Sequence, residues 1–308
     1  MRVAIIGGTG FVGSYIVDEL LEQGHDVCQL VRPGSEHKAR QADSTRIVSG
    51  SIESATSIVD LVSGCDAAIY CVGILRESPK KGITYETTQY DGVVKTVDAA
   101  LENGVARFLL MSANGVKDPG TRYQETKQRA EDLVLASNLK ATIFRPSVIF
   151  GDPRGRMEFA TQLFRDMVQK PIPAIGFFSG LRPASGAILM SPVHVKDVAR
   201  ALVNSLTDPS TVGQSYNLGG PEILSWPEMI RRIARTTGRK KWIIPMPINL
   251  MKLAATLFDW LPFFPVTRDQ LTMLQEGNTA NPEIIESLTG VAPVAFSFEH
   301  LDYLNGKT

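Results

Sequence analysis

Short apolar runs alternate with segments of helical periodicity through the first half of the chain. Strands are predicted at residues 3–6, 26–31, near Ile47, and at 67–71, 108–111 and 141–144. Helices are predicted after the first run and at residues 55–62, 85–103 and 123–137. In the longest predicted helix, over residues 85–103, Val93 and Val97 follow the helical period, and Gly104 ends the helix. This alternation is typical of a parallel sheet with helices on both faces, and right-handed crossovers make it doubly wound.

A glycine-rich turn follows the first predicted strand. Residues 7–13 read GGTGFVG, in which Gly8, Gly10 and Gly13 match the dinucleotide fingerprint and Gly7, Gly10 and Gly13 match its wider-spaced variant. Glycines let the backbone turn tightly and approach phosphates, while the amides and the dipole at the helix start hold an anion. Because a strand and a helix flank the motif, it predicts a dinucleotide site of the Rossmann type rather than an ordinary turn.

The residue that ends the second strand indicates which dinucleotide binds. An NAD site usually has an acidic residue there to accept from the ribose 2′-hydroxyl. This chain has Arg32 there, and Asp26 comes too early, where the strand begins. A guanidinium suits a 2′-phosphate, so we predict NADP(H). Lys38 and Arg40 either add to the same pocket or belong to an ordinary solvated loop.

The alternation ends near Gly151. Residues 171–193 are rich in Pro, Gly and Ser and predict a long loop or lid, followed by a helix over 193–206 and a returning strand over 215–218. The last third shows helices and proline-broken loops, with little strand signal. We therefore expect a Rossmann domain over 1–150, completed by returning segments near 188–220, and a smaller, mainly helical lobe from 151–187 and 221–308.

Composition narrows the class of protein. The 308 residues are 44% hydrophobic and 21% charged, and Lys plus Arg equals Asp plus Glu at 32 each, which gives no case for a nucleic-acid partner. Cys28, Cys65 and Cys71 form no CxxC pair and are expected to be reduced in a cytoplasmic protein. Neither a signal peptide nor a membrane span is expected. The histidines show no metal-ligand spacing, so no metal site is expected.

Tyr123 and Lys127 form a YxxxK pattern in the helix after the fifth main strand. Spacing of four places both side chains on one helix face. An ammonium beside a phenol lowers the pKa of that phenol, so Tyr123 is a candidate acid or base for a carbonyl or alcohol while a nicotinamide moves a hydride. Lys127 is also a candidate to hold the nicotinamide ribose. The competing interpretation is a half-exposed tyrosine and a solvated lysine.

An apolar stretch spans residues 242–266. It is dense in Leu, Phe and Trp, with Lys252 and Asp259 the charged positions between 250 and 264. A lipid-facing surface, a pocket for a quinone or prenyl chain, and a docking face for a partner are all open interpretations. A buried helix of the smaller lobe is favoured, because apolar stripes on helices usually face a core.

Together, these motifs resemble the extended and atypical short-chain dehydrogenase/reductases. The resemblance rests on the glycine motif, the strand ending RFLLMS, the YxxxK helix and RPSVIFG at 145–151. Further segments resemble the subgroup that contains the nucleotide-binding accessory subunit of mitochondrial complex I and its bacterial relatives. They are CVGILRE (71–77), PVHVKDVARAL (192–202), YNLGGPEILSWPEMI (216–230) and PMPINLMKLAATLFDWLP followed by TRDQL (245–271).

The resemblance implies a bound NADP(H) and names its contacts. The residues implied to contact the phosphates are Gly7, Thr9, Gly10, Phe11, Val12 and Gly13. Arg32, with Lys38 beside it, is implied to contact the 2′-phosphate. Residues beside the cofactor and near its nicotinamide are Cys71, Val72, Gly73, Pro146, Ser147 and Val148.

The chain departs from the family pattern at the catalytic position. Active extended members usually carry a Ser or Thr two residues beyond the serine that ends the fifth strand. Here Ser112 ends the strand and Asn114 occupies that place, while Gln89 stands where many relatives carry a helical Asn. Ser112 or Asn114 is then the candidate donor to a substrate carbonyl.

Two functions are consistent with the sequence. One is an NADP(H)-dependent oxidoreductase acting on a carbonyl or alcohol of a small, hydrophobic, quinone- or lipid-like substrate. The other is a non-catalytic, NADPH-binding assembly or accessory protein of a membrane complex such as complex I, docked through residues 242–266. Tight nucleotide binding stabilises a fold even when no reaction takes place, so it is expected for both functions.

Overall fold

The computed structural model describes residues 1–180, 182, 186–258 and 267–307. The strands are β1 Arg2–Ile6, β2 Asp26–Val31, β3 Arg46–Ser49, β4 Ala67–Tyr70, β5 Arg107–Met111, β6 Lys140–Pro146, β7 Ile149–Phe150, β8 Ala174–Phe178, β9 Leu189–Met190, β10 Val193–His194, β11 Ser215–Leu218, β12 Leu224–Ser225 and β13 Ile243–Pro247. The helices are α1 Phe11–Glu22, α2 Ala55–Val62, α3 Gly92–Glu102, α4 Arg122–Ala136, α5 Phe159–Leu163, α6 Val195–Asn204, α7 Trp226–Thr236, α8 Ile248–Phe258, α9 Arg268–Glu276, α10 Glu283–Thr289 and α11 Phe298–Leu301.

The chain forms two compact units, each built from several segments. The first unit comprises Met1–Pro146, Val195–Asn217 and Ile284–Val291. The second comprises Ser147–His194, Leu218–Glu283 and Ala292–Thr308. Although α10 comes late in the sequence, it joins the first unit, where the Asn204 side chain donates to the carbonyl of Leu288 at 3.0 Å.

A seven-stranded sheet in the order β11-β6-β5-β4-β1-β2-β3 organises the first unit. The pairs from β3 to β6 are all parallel. The strand order reverses between β1 and β4, so the crevice at their carboxyl ends is where such folds bind ligands. The doubly wound Rossmann-type fold predicted from the sequence is confirmed.

Helices cover both faces of this sheet. On one face Ile58 of α2, Val97 of α3 and Val134 of α4 join a single apolar core with the strands. On the other face α1 packs on α6, and Glu19 pairs with Arg200 at 3.5 Å. Burial of these apolar stripes stabilises the unit at roughly 25 cal/mol per Å² removed from water.

The helix predicted over 85–103 is not a uniform α-helix. Glu86–Asp91 is a π-helical turn that continues into α3. The Tyr70 hydroxyl donates to the carbonyl of Thr88 at 2.6 Å, and a Cβ at Gly92 would lie 2.1 Å from that hydroxyl oxygen. A tyrosine inserted against the helix backbone therefore accounts for the wider turn.

Several strands of the second unit contradict the sequence predictions. The segment 171–193, predicted as a loop or lid, contains β8 and β9. β8 pairs in parallel with β13. The sequence of β13 is IIPMP, and its prolines are the reason that no strand was predicted there. Val193 and His194, predicted as the start of a helix, form β10 and pair with β7 before α6 begins. The core of this unit includes Phe150, Phe164 and Phe296.

Within the described part of the apolar stretch, strand β13 is followed by helix α8. Ile248 and Ala255 are fully buried, as the core interpretation requires, whereas Leu250 and Leu253 are exposed. The predicted buried helix is thus correct for one face of α8 and wrong for the other. Residues 259–266 of the stretch lie outside the described residues.

Candidate functional site

The glycine turn joins β1 to α1 at the carboxyl edge of the sheet. The amide of Gly10 donates to the carbonyl of Gly7 at 2.9 Å, which closes the turn. Gly10 caps α1 in an extended conformation, and none of the described side chains makes a capping hydrogen bond there. The amides in the first turn of any α-helix have no carbonyl partner within it. The N-terminus of α1 is therefore suited to an anion.

Two of the glycines are required by close approach. Gly7 has φ +99°, a region that side chains rarely adopt, and a Cβ there would lie 3.0 Å from the carbonyl carbon of Cys71. A Cβ at Gly13 would lie 2.1 Å from the carbonyl oxygen of Gly7. This cradle has the form that a pyrophosphate needs, since its backbone is left uncovered by side chains.

Residues 71–73 join the glycine turn to the catalytic candidates. The amide of Cys71 donates to the carbonyl of Ile6 at 2.9 Å, so the chain leaves β4 beside the turn. Burial raises the pKa of the Cys71 thiol to about 12. A Cβ at Gly73 would lie 3.9 Å from Nζ of Lys127. Cys71, predicted inside a strand, directly follows β4 instead.

Helix α4 places Tyr123 and Lys127 on one buried face. Thr121 and Gln124 form a reciprocal capping box that fixes the start of the helix. Tyr123 is 9% exposed and Lys127 is 6% exposed, so the interpretation as a half-exposed tyrosine and a solvated lysine is wrong. Nζ of Lys127 donates to the carbonyl of Met111 at 3.2 Å and lies 5.8 Å from the centre of the Tyr123 ring.

The pKa of the phenol differs from the sequence expectation. Burial raises the pKa of Tyr123, and the neighbouring Tyr85 raises it further. Burial lowers the pKa of Lys127 to about 8, against the opposing effect of the Glu131 carboxylate. The pKa of Tyr123 thus lies above its usual value and not below it as predicted, because burial disfavours the charged phenolate.

Ser112 and Gln89 present polar atoms without partners close to Lys127. The Ser112 hydroxyl and Oε1 of Gln89 are buried and accept or donate no hydrogen bond among the described residues. Both side chains line a narrow gap together with Lys127. Asn114 is half-buried, and its backbone amide donates to the carbonyl of Pro146 at 3.0 Å.

Arg32 stands at the carboxyl end of β2, as expected. Its side chain is exposed and forms no ion pair with any residue that the structure describes. Lys38 lies on an exposed turn over Glu36–Lys38. Arg40 instead pairs with Asp18 of α1, at 3.2 and 3.1 Å. Arg32 and Lys38 are thus both exposed, whereas Arg40 holds the loop against α1.

The segment predicted to lie near the nicotinamide spans the boundary between the units. Pro146 ends β6 in the first unit. Ser147 and Val148 belong to the second unit, where the Ser147 hydroxyl donates to the carbonyl of Asn278 at 2.8 Å. The carbonyl of Val148 accepts from the amide of Val193 at 3.0 Å.

Three residues around the site were missed by the sequence analysis. Tyr85 packs edge-to-face on Tyr123, with ring centres 5.6 Å apart. Glu131, fully buried, pairs with Arg145 and lies one helical turn beyond Lys127, a spacing visible in the sequence. Gln29 is a buried glutamine within the apolar strand β2, and its Nε2 donates to the Arg40 carbonyl at 2.8 Å.

A family model described as NAD(P)H-binding matches residues 7–171, more than half of the chain. The chain belongs to this NAD(P)H-binding family. Its sequence and fold also place it among the extended and atypical short-chain dehydrogenase/reductases, as predicted. NAD(P)(H) binding follows from the family, and the geometry of the glycine turn agrees with it.

Known proteins similar to this NAD(P)H-binding chain include both enzymes and a complex subunit. A protein of Caulobacter vibrioides named ceramide reductase is 27% identical over 83% of this chain and 77% of its own length. Subunit 9 of the NADH dehydrogenase [ubiquinone] 1 alpha subcomplex of Arabidopsis thaliana mitochondria is 26% identical over 98% of this chain and 74% of its own. A solved UDP-glucose 4-epimerase, 17% identical, covers 100% of this chain and 98% of its own with a TM-score of 0.74, which shows a shared fold.

The described residues contain neither a metal centre nor a membrane-spanning helix. Within the described residues, no cluster of His, Cys, Asp and Glu is arranged so that it could hold a metal ion. Over the same residues, no helix combines the length and the apolar character needed to cross a bilayer.

Proposed function

We propose that this chain is an NADP(H)-dependent oxidoreductase that reduces a carbonyl, or oxidises the corresponding alcohol, of a hydrophobic substrate. The observation that carries the proposal is the buried Tyr123–Lys127 pair, joined through Gly73 and Cys71 to the glycine turn. Burying a lysine at the cost of its hydration is unusual without a functional reason. The similarity to proteins named as reductases supports the same class of reaction.

The residues present fit a dinucleotide with a 2′-phosphate. Gly7 to Gly13 would hold the pyrophosphate at the start of α1, and Arg32 with Lys38 would meet the 2′-phosphate. Val72 and Gly73, and then Pro146, Ser147 and Val148, are proposed to lie along the cofactor. When bound, NADPH supplies the hydride that a carbonyl reduction needs.

The side chains of the site supply the proton and hold the carbonyl. Because burial raises the pKa of Tyr123, its phenol stays protonated at neutral pH and is suited to donate a proton to a carbonyl oxygen. The Lys127 ammonium would stabilise the phenolate that remains. Asn114, half-buried, is the better-exposed carbonyl donor, and Ser112 lines the gap beside Lys127.

A reduction assay tests the proposal directly. The absorbance of reduced nicotinamide would be followed after adding quinones, ketones or a lipid extract to the protein with NADPH. Tyr123→Phe should lower the rate by about 10²-fold or more, since a positioned acid contributes that much. Tyr85→Phe removes a neighbouring hydroxyl, which donates to the Leu75 carbonyl at 3.1 Å, and it should retain most of the rate. Equal rates in wild type and Tyr123→Phe would refute the proposed role of Tyr123.

The choice of cofactor has its own test. Arg32→Ala should weaken NADPH binding by about 10- to 100-fold, the value of one or two charge-assisted hydrogen bonds. NADH lacks the 2′-phosphate, so its affinity should stay within about twofold in the same variant. Titration calorimetry with both nucleotides measures the two changes. Equal affinity for NADH and NADPH in the wild type, unchanged in Arg32→Ala, would contradict the NADP(H) assignment.

A second function is favoured by two observations. Asn114 replaces the catalytic Ser or Thr, and the chain is similar over 98% of its length to a complex I subunit. In this alternative, NADPH stabilises a cytoplasmic accessory protein that docks on a membrane complex through residues within 242–266. NADPH that stays bound and unoxidised through the whole substrate panel, in wild type and Tyr123→Phe alike, would favour this function.

A further inference from the structure

An open groove of about 430 Å³ lies in the second unit, at the entry to β8 and β13. One wall is the segment 168–173, which leads into β8, and the other is 239–242, which leads into β13. The amide of Ala174 donates to the carbonyl of Trp242 at 2.8 Å, so the two segments run side by side. The parallel pairing of the strands thus brings together residues about 70 positions apart.

The groove concentrates positive charge, although the formal net charge of the whole chain is zero. Its charged lining residues are Lys170, Arg239, Lys240 and Lys241, and none of the acidic residues that the structure describes lines it. Asp166 pairs with Lys170 at 3.7 Å, but both side chains are about half exposed, and such a pair contributes little. The chain as a whole has 32 basic and 32 acidic residues, so this cluster is a local asymmetry.

Lys241 differs from the other three basic residues. Its Nζ donates to the carbonyl of Val168 at 3.2 Å and also to that of Lys170. It therefore ties the two walls together from within. Lys170 and Lys240 remain exposed at the rim.

Two large apolar side chains stand exposed beside this charge. Trp242 is 80% exposed, and Ile172, between two prolines, is 61% exposed. Exposed apolar groups cost free energy in water unless something covers them. Tryptophan is enriched at bilayer interfaces, where its ring contacts acyl chains and its N–H donates to the headgroups.

We infer that this basic, tryptophan-bearing groove docks on a bilayer surface rich in anionic phospholipid. Lys170, Arg239 and Lys240 would face the headgroups, while Trp242 and Ile172 enter the interface. A nucleic acid or a soluble phosphate would match the charge but leave Ile172 exposed. The inference rests on residues other than those of the proposed reaction, so failure of docking would leave the proposed roles of Tyr123 and Lys127 standing.

Vesicle flotation of the full chain tests the inference. Vesicles of phosphatidylcholine alone are compared with vesicles of equal parts phosphatidylcholine and phosphatidylglycerol. The chain should float only with the anionic vesicles and should be released as salt screens the charges. Its tryptophan fluorescence should shift to shorter wavelength on those vesicles, and Trp242→Phe should lose that shift.

Matched charge variants locate the contact. Each cation near an anionic surface strengthens binding by about fivefold, so Lys170→Gln with Lys240→Gln should weaken partitioning by about 25-fold. Lys80→Gln with Lys81→Gln removes the same charge from an exposed turn of the first unit and should change partitioning by less than about twofold. Circular dichroism would confirm that both pairs are folded.

Three outcomes would overturn the inference. They are equal binding to neutral vesicles, equal loss in the two charge pairs, and absence of vesicle binding with tight binding to single-stranded nucleic acid or free phosphate.

Discussion

Lys127 combines burial, a single backbone hydrogen bond and a pKa of about 8, far below the usual value for lysine of about 10.4. Holding it there costs stability, since a buried ammonium loses its hydration. Glu131, one turn along α4, lessens that cost, and Arg145 pairs with Glu131 in turn. The spacing of Tyr123 and Lys127 was visible in the sequence, but the direction of their pKa values was not. Burial decides that direction, and burial depends on Tyr85 and Met111 from other elements.

The pH dependence of the proposed reduction follows from these pKa values. The pKa of Tyr123 is raised, so the phenol stays protonated well above neutral pH. Lys127 loses its charge as pH rises through about 8, so kcat/KM should fall by about tenfold per pH unit above that value. Removing the Glu131 carboxylate in Glu131→Gln should move the fall to lower pH, because that carboxylate raises the Lys127 pKa.

Rate profiles at saturating NADPH measure both effects. Lys127→Arg keeps its charge at every pH, so any residual rate should lack this fall. Thermal unfolding would show whether Glu131→Gln remains folded with Arg145 unpaired. A wild-type profile that is flat to about pH 10 would show that the charge of Lys127 has no part in the reaction.

At the scale of elements, β1, the glycine turn and α1 were predicted correctly because their signals are local. Apolar runs, glycine spacing and helical period all lie within about 20 residues. β13 was missed because its stability comes from pairing with β8, far away in the sequence, and its prolines imitate a loop. β10 was missed for a similar reason, since its two residues gain strand character only from β7. Long-range pairing leaves no periodicity in a single segment.

The contact between Gly13 and Gly7 predicts the effect of a single methyl group. Gly13→Ala would put a Cβ 2.1 Å from the Gly7 carbonyl oxygen, so the turn and α1 must separate. We expect the free energy of unfolding to fall by about 1–3 kcal/mol and NADPH affinity by at least about tenfold. Chemical denaturation and nucleotide titration measure these changes.

Gly24→Ala, just beyond the other end of α1, is the matched control. Gly24 has φ +75°, and a Cβ there meets open space, so only backbone strain of about 1 kcal/mol is expected. NADPH affinity should stay unchanged in this variant. Equal loss of affinity in both variants would mean that α1 stability, not the glycine turn, controls nucleotide binding.

At the scale of the whole molecule, the chain passes between its two units five times, after residues 146, 194, 217, 283 and 291. Neither unit is a continuous stretch, so neither is obtained by cutting the chain once. The core of the second unit includes Leu301 and Leu304 near the end of the sequence, together with Phe150 and Phe164 from its first segment. Stability of that unit therefore depends on segments about 150 residues apart.

The position of β11 beside β6 has a consequence for synthesis. Until β11 is made, β6 is the unprotected edge of the sheet. About 70 residues separate the two strands, which corresponds to between about 4 and 14 s at ordinary rates of translation. During that interval the nascent chain already carries the glycine turn, Tyr123 and Lys127 but exposes a strand edge open to pairing with other chains. We therefore expect the nascent chain to be prone to aggregation for as long as β6 lacks its neighbour β11.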